Sequence, residues 1–381
     1  MHITLHITTG CNMRCDYCYS PPLKRLDMTE EVVHKAIDFA SELSPENTGI
    51  IFFGGEPLLK KDFIESTINF CKEREAKYGN HYHYKVTTNG LLLDEEFLKY
   101  AKSVGLIIGL SIDGIKKAHD THRKDTVGNG TFDRLEHKID SLLKYHPYSM
   151  AMMTVSPENI KYYTDSVKYL FDKGFKYLVV SLNYAGEWMD SDIKELNKQY
   201  KALAKLYKKM ILEQKKFYFS PFETKFASHI KGQEAKCYRC ALAQRQVSIS
   251  SDGLIYPCVQ FVQDGISNKE YSIGNVWEGF DEKKRAKLYE LSQKSREFCE
   301  DCALQTRCNN DCSCLNWQTT KKIYTVAPVL CETERILIPI VDKLGDKLYK
   351  QHAPMFIQKH YNAVYPIISL LEDIEAGQIL Y

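Results

Sequence analysis

Six strand-length apolar runs, each followed by a helix-length stretch, fill the first 216 residues and constrain the fold more than any other feature of the chain. The runs are residues 2–8, 49–53, 83–88, 106–112, 149–155 and 177–182. Helical patterns follow them at 29–43, with Thr29 as the expected N-cap, and at 62–77, 94–104, 132–145, 160–173 and 192–216. Such alternation predicts a parallel sheet with right-handed crossovers. Six units rather than eight predict an α/β fold of the partial (β/α)6 TIM type, a barrel left open on one side to a large substrate. Polar and glycine-rich punctuation falls after the strands: the loop from Cys11, Gly54-Gly55-Glu56-Pro57, Thr88-Asn89-Gly90, Ser111 to Gly114, and Asn183 to Glu187. In β/α barrels that rim carries the active site. Singly, Gly54-Gly55 reads as a tight turn and Asp113-Gly114 as a loop. Their shared rim is the stronger signal.

The first of these loops is Cys11-Asn-Met-Arg-Cys15-Asp-Tyr-Cys18. Three thiols within eight residues cannot pair off evenly as disulfides. Three ligands on a four-site cluster leave one position open, the mark of a catalytic centre, whereas a zinc or disulfide staple is the structural alternative. The chain has 13 cysteines, most of them in its last third. The N-terminal Met-His-Ile-Thr-Leu-His-Ile opens a strand with no signal-peptide pattern, so a cytoplasmic location is expected. There, many cysteines read as metal ligands rather than disulfides. A net charge of +2 makes no electrostatic case for nucleic acid or an anionic membrane. The longest apolar runs, 107–110 and 336–341, are too short to span a bilayer.

From Lys231 the alternation stops. Cys237-x2-Cys240 precedes Asp252-Gly253, a hairpin turn between strands expected at 246–249 and 254–256. Gly274 to Trp277 reads as a return toward helix. Cys299-x2-Cys302-x5-Cys308-x3-Cys312 and then Cys331 form a metal pattern for which zinc and iron–sulfur stand about even from spacing alone. Two helices are expected at 334–350 and 355–375, with Pro339 and Pro366 as points of kink or break. Their stripe of Ile336, Ile340, Leu344, Tyr361, Tyr365 and Ile368 reads as packing, with cover for the open side of the barrel as a second use. The expected division is 1–216 for the barrel, 217–335 for the cysteine-rich part and 336–381 for the helical end.

Cys11-x3-Cys15-x2-Cys18 after the first strand, Gly-Gly-Glu-Pro after the second and Ser-Ile-Asp-Gly after the fourth resemble the radical S-adenosylmethionine enzymes over residues 2–216. The resemblance implies that Cys11, Cys15 and Cys18 ligate a 4Fe–4S cluster whose open iron is chelated by the amino and carboxylate groups of S-adenosylmethionine. It implies Tyr17 near the adenine, Gly54, Gly55 and Glu56 at the amino group, and Ser111 as a polar contact. Asp113 would hold its loop, Arg123 would meet the carboxylate, and Thr88 and Asn89 would be further contacts. A glutamate suits an ammonium, and an arginine fork suits a carboxylate. An external donor of flavodoxin or ferredoxin type would supply the electron that cleaves the sulfonium to methionine and a 5′-deoxyadenosyl radical. The protein would orient the cofactor, exclude water and aim the radical at one C–H bond.

Cys240-x12-Gly253-x4-Cys258, the Cys299 to Cys312 run and Cys331 resemble the SPASM extension of the same enzymes. That implies two auxiliary 4Fe–4S clusters, three in all. Cys299, Cys302, Cys308 and Cys331 would hold the distal one. Cys240, Cys258 and Cys312 would hold the near one, with Cys237 as candidate fourth ligand or, failing that, an open iron. Cys71 and Cys314 are left over, and both read as core thiols, with a spare ligand or a thiol beside the ligands as the alternative for Cys314.

Enzymes with this extension mostly modify peptides, so a precursor peptide is the expected partner. Anaerobic sulfatase-maturing enzymes use an aspartate directly after the cysteine of Tyr-Pro-Cys as a base. Here Val259 stands at that position, followed by Gln260. This departure favours a maturase that joins a Cys sulfur to carbon as a thioether, with the substrate thiolate activated at an open iron. Sulfatase maturation, carbon–carbon linkage and epimerisation are the alternatives. No leader-binding segment precedes the first strand, so a leader would dock elsewhere. Glu223 in Ser-Pro-Phe-Glu is a candidate polar group for the peptide channel, or a plain loop charge. A non-catalytic iron–sulfur carrier would have no use for Gly54–Pro57 and Arg123.

Overall fold

The computed structural model describes residues 1–19, 25–232, 242–262, 269–294 and 296–375. The six strands form at β1 (His2–Thr8), β2 (Thr48–Gly54), β3 (Tyr82–Thr88), β4 (Ile107–Ser111), β5 (Met150–Val155) and β6 (Tyr177–Leu182), and successive strands pair in parallel. Between them run α1 (Glu30–Leu43), α2 (Lys61–Tyr78), α3 (Glu95–Ser103), α4 (Lys116–His122), α5 (Phe132–Tyr145) and α6 (Tyr163–Asp172), and α7 (Asp190–Leu212) follows β6. Strand residues alternate between two faces. Ile3, Leu5 and Ile7 are buried in one core with Ala36, Ile37 and Ala40 of α1. The other row of β1 is His2, Thr4, His6 and Thr8, so the inner face starts out polar. Thr29 caps α1, its Oγ1 accepting from Val32 N at 3.3 Å.

The sheet extends beyond six strands at both edges. Past 216, β7 (Tyr218–Phe219) joins β6 in parallel and leads into α8 (Ser220–Lys231). At the other edge β8 (Gln246–Ile249) runs parallel to β1, from His2 opposite Gln246 to Leu5 opposite Ile249. The antiparallel strands β9 (Leu254–Tyr256), β10 (Gly274–Asn275) and β11 (Gly279–Phe280) follow, so the order is β11-β10-β9-β8-β1-β2-β3-β4-β5-β6-β7. The hairpin appears where Asp252-Gly253 placed it. The expected return to helix at 274–277 is instead a turn between β10 and β11. Asn275 Oδ1 accepts from Trp277 N and Glu278 N, a local bond that competes with helix. Helix resumes at α9 (Glu282–Ser292).

The chain ends with α10 (Ser313–Thr320), α11 (Pro328–Lys350), α12 (Pro354–Tyr361) and α13 (Tyr365–Glu375). Pro339 lies inside α11 without ending it. The break falls at Asn362, whose backbone is extended, and Pro366 sits in the first turn of α13, where a missing N–H is harmless. Helices α11 and α12 pack on α7 and α8. Ile336, Ile340, Leu344 and Tyr365 belong to that packing, whereas Tyr361 and Ile368 are exposed. No helix among the described residues is long and apolar enough to cross a membrane.

Asp373 fastens α13 to the barrel. Its carboxylate accepts from Lys176 Nζ and Lys216 Nζ, each at 2.8 Å, and from the Tyr148 hydroxyl. Burial opposes its charge, but these hydrogen bonds prevail and hold the carboxyl at about 2. A depressed carboxyl stabilises above its unfolded pKa and ceases to do so as pH falls through its folded one. Asp373→Asn should therefore lower stability at pH 7 by about 1.5–3 kcal/mol. The gap in melting temperature from the parent protein should close between about pH 4 and pH 2.

Candidate active site

The Cys11 loop is pinned from outside. Arg14 N donates to Lys124 O at 2.8 Å and Asp16 N to His122 O at 3.2 Å, so the loop lies along residues 122–125 at the end of α4. Cys11 and Cys15 are half-buried and Cys18 is exposed. Burial pushes the Cys11 thiol up to about 12, with Glu56, Cys15 and Cys18 adding to the rise. Burial also raises Cys15, against the pull of Arg123. Thiols that hold one another protonated in this way are relieved by a cationic metal centre. Among the described residues no three His, Cys, Asp or Glu side chains converge enough to hold a single ion. Cluster thiolates stand on separate irons and need not converge so tightly.

Glu56 is the most informative side chain. It is fully buried after β2. Oε1 accepts from Thr88 Oγ1 at 2.7 Å and Leu58 N at 3.0 Å, and Oε2 from Asn89 N at 2.7 Å. Burial raises its pKa against these bonds, and it forms no salt bridge with a described residue. A buried carboxylate with neutral donors only is complementary to an incoming cation. Gly54 and Gly55 let the turn approach the Cys11 loop. Gly54 has φ 134°, and a Cβ on either glycine would run into the carbonyl oxygen of Thr8 or Gly10. Asn89 Nδ2 also donates to Asn12 Oδ1 at 2.8 Å, which ties the end of β3 to the cysteine loop.

Asp113 organises the opposite side. It is fully buried, accepting from Thr154 N at 2.9 Å and from the Tyr17 hydroxyl at 2.5 Å. Arg123 Nε stands 3.1 Å from Asp113 Oδ2, and its guanidinium lies 5.4 Å from the Tyr17 ring centroid. That N–H is not aligned with the carboxylate and has no hydrogen-bond partner. Arg123 is therefore no surface charge: it is buried and oriented, with donor capacity for an anion. Ser111 ends β4 half-buried. The residues present thus fit both ends of an amino acid, with an unpaired carboxylate for its ammonium and an underused guanidinium for its carboxylate.

Cys299 is buried, and Cys302, Cys308 and Cys331 are half-buried. Burial raises the thiols of Cys308 and Cys331, and Cys299 raises both further. Cys258 is buried at the end of the hairpin and Cys312 caps α10. Cys237 and Cys240 lie outside the described residues. Val259 begins a short 3-10 turn directly after Cys258. Cys71 is a buried core residue of α2.

Glu223 is neither an isolated carboxylate nor a loop charge. It sits buried in α8, paired with Lys359 and His360 of α12, and accepts from the Tyr207 hydroxyl at 3.0 Å. The sequence showed only an isolated carboxylate, because its cationic partner Lys359 lies 136 residues downstream.

Two residues escaped the sequence reading, Tyr19 and Lys85, and the leftover Cys314 gains a definite setting. Cys314 is packed in one buried cluster with Cys258, and Cys312 lies against it. The hydroxyl of Tyr19 is buried without a partner. Lys85, on β3, shares the inner face with Thr87 through the strand register. Its Cε lies 3.4 Å from where a Gly109 Cβ would be, so Lys85 extends along the strands toward the rim. Burial lowers its pKa. Only strand parity could have flagged it, as a cation on the inward row.

Residues 5–187 match the Radical SAM superfamily. Those residues form a Radical SAM domain, and they hold the six parallel strands and the rim site described above. The likeness of the chain to known proteins continues into the cysteine-rich half. A cysteine-type anaerobic sulfatase-maturating enzyme of Clostridium perfringens is 26% identical over 335 residues, covering 80% of this chain and 86% of the relative. A structure described as native anSMEcpe with bound AdoMet and Cp18Cys peptide superimposes with TM-score 0.77 at 22% identity, over 92% of this chain and 99% of that one. Streptococcus suis SuiB bound to precursor peptide SuiA superimposes with TM-score 0.59 at 14% identity, over 87% and 75%.

Proposed function

We propose that this chain oxidises a cysteine side chain of a peptide or protein by two electrons, as a maturase of the sulfatase-maturating kind. The observation that carries the cofactor reading is Glu56, a buried carboxylate without a cation. In this reading Glu56 holds the ammonium of S-adenosylmethionine, supported by Thr88, Asn89, Gly54 and Gly55. Arg123 takes the carboxylate, while Asp113 fixes Arg123 and Tyr17, and Ser111 adds a polar contact. Cys11, Cys15 and Cys18 hold the radical 4Fe–4S cluster. Cys258 and Cys312, with Cys237 and Cys240, hold a near auxiliary cluster, and Cys299, Cys302, Cys308 and Cys331 a distal one. When bound and reduced by a flavodoxin- or ferredoxin-type donor, these groups supply hydrogen-atom abstraction. Lys85 offers the peptide an ammonium inside the barrel.

The substrate class rests on the relatives. One observation favours a second reading, the thioether cross-link: Val259 has no proton to exchange at the position where sulfatase maturation needs a base. The two differ in atoms. Formylglycine formation removes two hydrogens from the cysteine and replaces its sulfur by water oxygen, releasing sulfide. Thioether formation removes two hydrogens and keeps the sulfur.

The test is to incubate reduced protein and S-adenosylmethionine with the Cp18Cys peptide, and separately to co-express the protein with a small Cys-containing peptide encoded beside it, under anaerobic conditions. An aldehyde in place of a peptide cysteine is the expected result. Loss of two hydrogens per modified cysteine, with the thiol refusing alkylation, would instead establish the thioether. Unchanged mass with solvent deuterium incorporated would mean epimerisation.

A further inference from the structure

Strands β1 to β6 contain no Asp, Glu or Arg, and a single lysine, Lys85 of β3. Lys85 is half-buried on the inner face of the barrel. Among the described residues it forms no hydrogen bond and no salt bridge, and no carboxylate faces it to offset its burial. By strand register Thr4 and Ile51 stand level with it, and Thr87 and Gly109 stand one pleat nearer the rim. None of these carries a negative charge. His6, on the inner face of β1, is likewise unmet: it is 4% exposed, and its Nε2 has no hydrogen-bond partner. Burial holds that imidazole neutral, with a pKa lowered to about 3, so the charge inside the barrel is that of Lys85.

The space around this ammonium comes from a missing side chain. Gly109 has ordinary strand backbone, so no turn requires a glycine there. A Cβ at that position would lie 2.9 Å from Met152 Sδ and 3.4 Å from Lys85 Cε. The same Sδ lies 3.8 Å from the Thr87 hydroxyl. Lysine stem, thioether and hydroxyl thus gather over Gly109, inside the barrel and below the rim. From Lys85 to Thr88, which donates to Glu56, the strand rises about 10 Å, and the lysine stem covers part of that height. A peptide cysteine presented at the rim therefore brings its sequence neighbours, rather than its own sulfur, toward Lys85. A half-buried charge without a partner is complementary to an incoming ion of opposite sign.

Resting on the peptide oxidation proposed above, we propose that Lys85 is a specificity-determining residue whose ammonium binds a carboxylate of the peptide. That carboxylate is carried by an Asp or Glu side chain adjacent or next-but-one to the target cysteine. The site thus selects acidic sequences. Ile51 and Met152 give the lumen walls that hold little water, where attraction between opposite charges is stronger than at the surface. A lysine or arginine in the same place on the peptide would meet a like charge with no anion nearby to relieve it, and is rejected.

The experiment uses reconstituted, unreduced protein loaded with S-adenosylmethionine. The probes are fluorescent peptides, capped at both ends, each with one cysteine and with Asp, Asn or Lys at one flanking position. At one such position the Asp peptide should bind about tenfold tighter than the Asn peptide, and the Lys peptide weaker than both. Lys85→Met keeps the stem and should erase the difference between Asp and Asn. Lys85→Glu should invert the order, so that the Lys peptide binds best, and Lys85→Arg should keep the parent's order. Affinity for S-adenosylmethionine should match the parent in all three. A parent indifferent to Asp at every position overturns the proposal, as does a preference that survives Lys85→Met. A preference seen only with an uncapped C-terminus also overturns it, because the carboxylate would then be the chain end. Loss of S-adenosylmethionine binding in Lys85→Met would overturn it too, by assigning Lys85 to the cofactor. Reducing the same mixtures separates the two readings. Selective binding with no cysteine oxidised would sink the oxidation of the previous section and leave the recognition by Lys85 standing.

Discussion

Cys15→Ala is expected to reduce 5′-deoxyadenosine formation to background, whereas Cys258→Ala is expected to leave cofactor cleavage and stop only the peptide product. Cys15 lies in a loop whose amides on either side, Arg14 and Asp16, are bonded to the 122–125 segment. That loop cannot slide to offer a replacement ligand. With one of three thiolates gone, the open-iron arrangement is lost and electron delivery to the sulfonium goes with it. Cys258 sits in the apolar cluster of the hairpin. Its loss leaves Glu56, Arg123 and the Cys11 loop intact. The measurement is chromatography of 5′-deoxyadenosine after chemical reduction, beside mass spectrometry of the peptide. Identical failure of both variants, with normal iron content and melting, would mean that the two cysteine sets do not divide the work.

Glu56→Gln is expected to weaken S-adenosylmethionine binding by ~30-fold to several thousandfold. Removing one partner of a buried charge pair costs about 2–5 kcal/mol, and each 1.4 kcal/mol is tenfold. The amide keeps the shape of the side chain but forfeits the charge. It also turns a donor toward a site where Thr88, Asn89 and Leu58 already donate. The effect is read in the unreduced protein by equilibrium dialysis, so it does not depend on chemistry. The pH dependence carries a sign. Burial raises the Glu56 carboxyl, so on acidification it takes up a proton sooner than an ordinary glutamate. Binding to the parent should therefore weaken as pH falls, at higher pH than a solvent-exposed carboxylate would dictate. The Glu56→Gln variant should show little of that dependence.

The barrel was readable because period and punctuation agreed. Strands buried on their helix side, such as Ile3-Leu5-Ile7, alternate with polar partners, and each ends in residues with a local reason to turn. The rim motifs were readable from type and order, and the structure adds their cross-connections: Thr88 and Asn89 serve Glu56, and Asp113 holds Tyr17 and Arg123 together. What was not readable depended on distant partners. Glu223 is neutralised by Lys359, Cys314 gains its place from Cys258, and the parallel mate of β1 is β8. None of these pairings leaves a local trace. The strand and turn at Gly274–Trp277 were missed for the opposite reason, since the side chain of Asn275 overrides the apolar spacing around it.

The pairing of β8 with β1 bears on how the molecule is made. Hydrogen bonds from residues 246–249 complete the edge of a strand made more than two hundred residues earlier. Until the hairpin is synthesised, that edge is an unpaired template for other chains, next to a loop of three unligated thiols. A fragment ending near residue 216 would keep this exposure permanently and should aggregate rather than behave as a small independent enzyme. Closure over so long a separation is slow. The cysteine loop at the end of β1 thus hangs from a sheet that is complete only when the second half of the chain has folded onto the first.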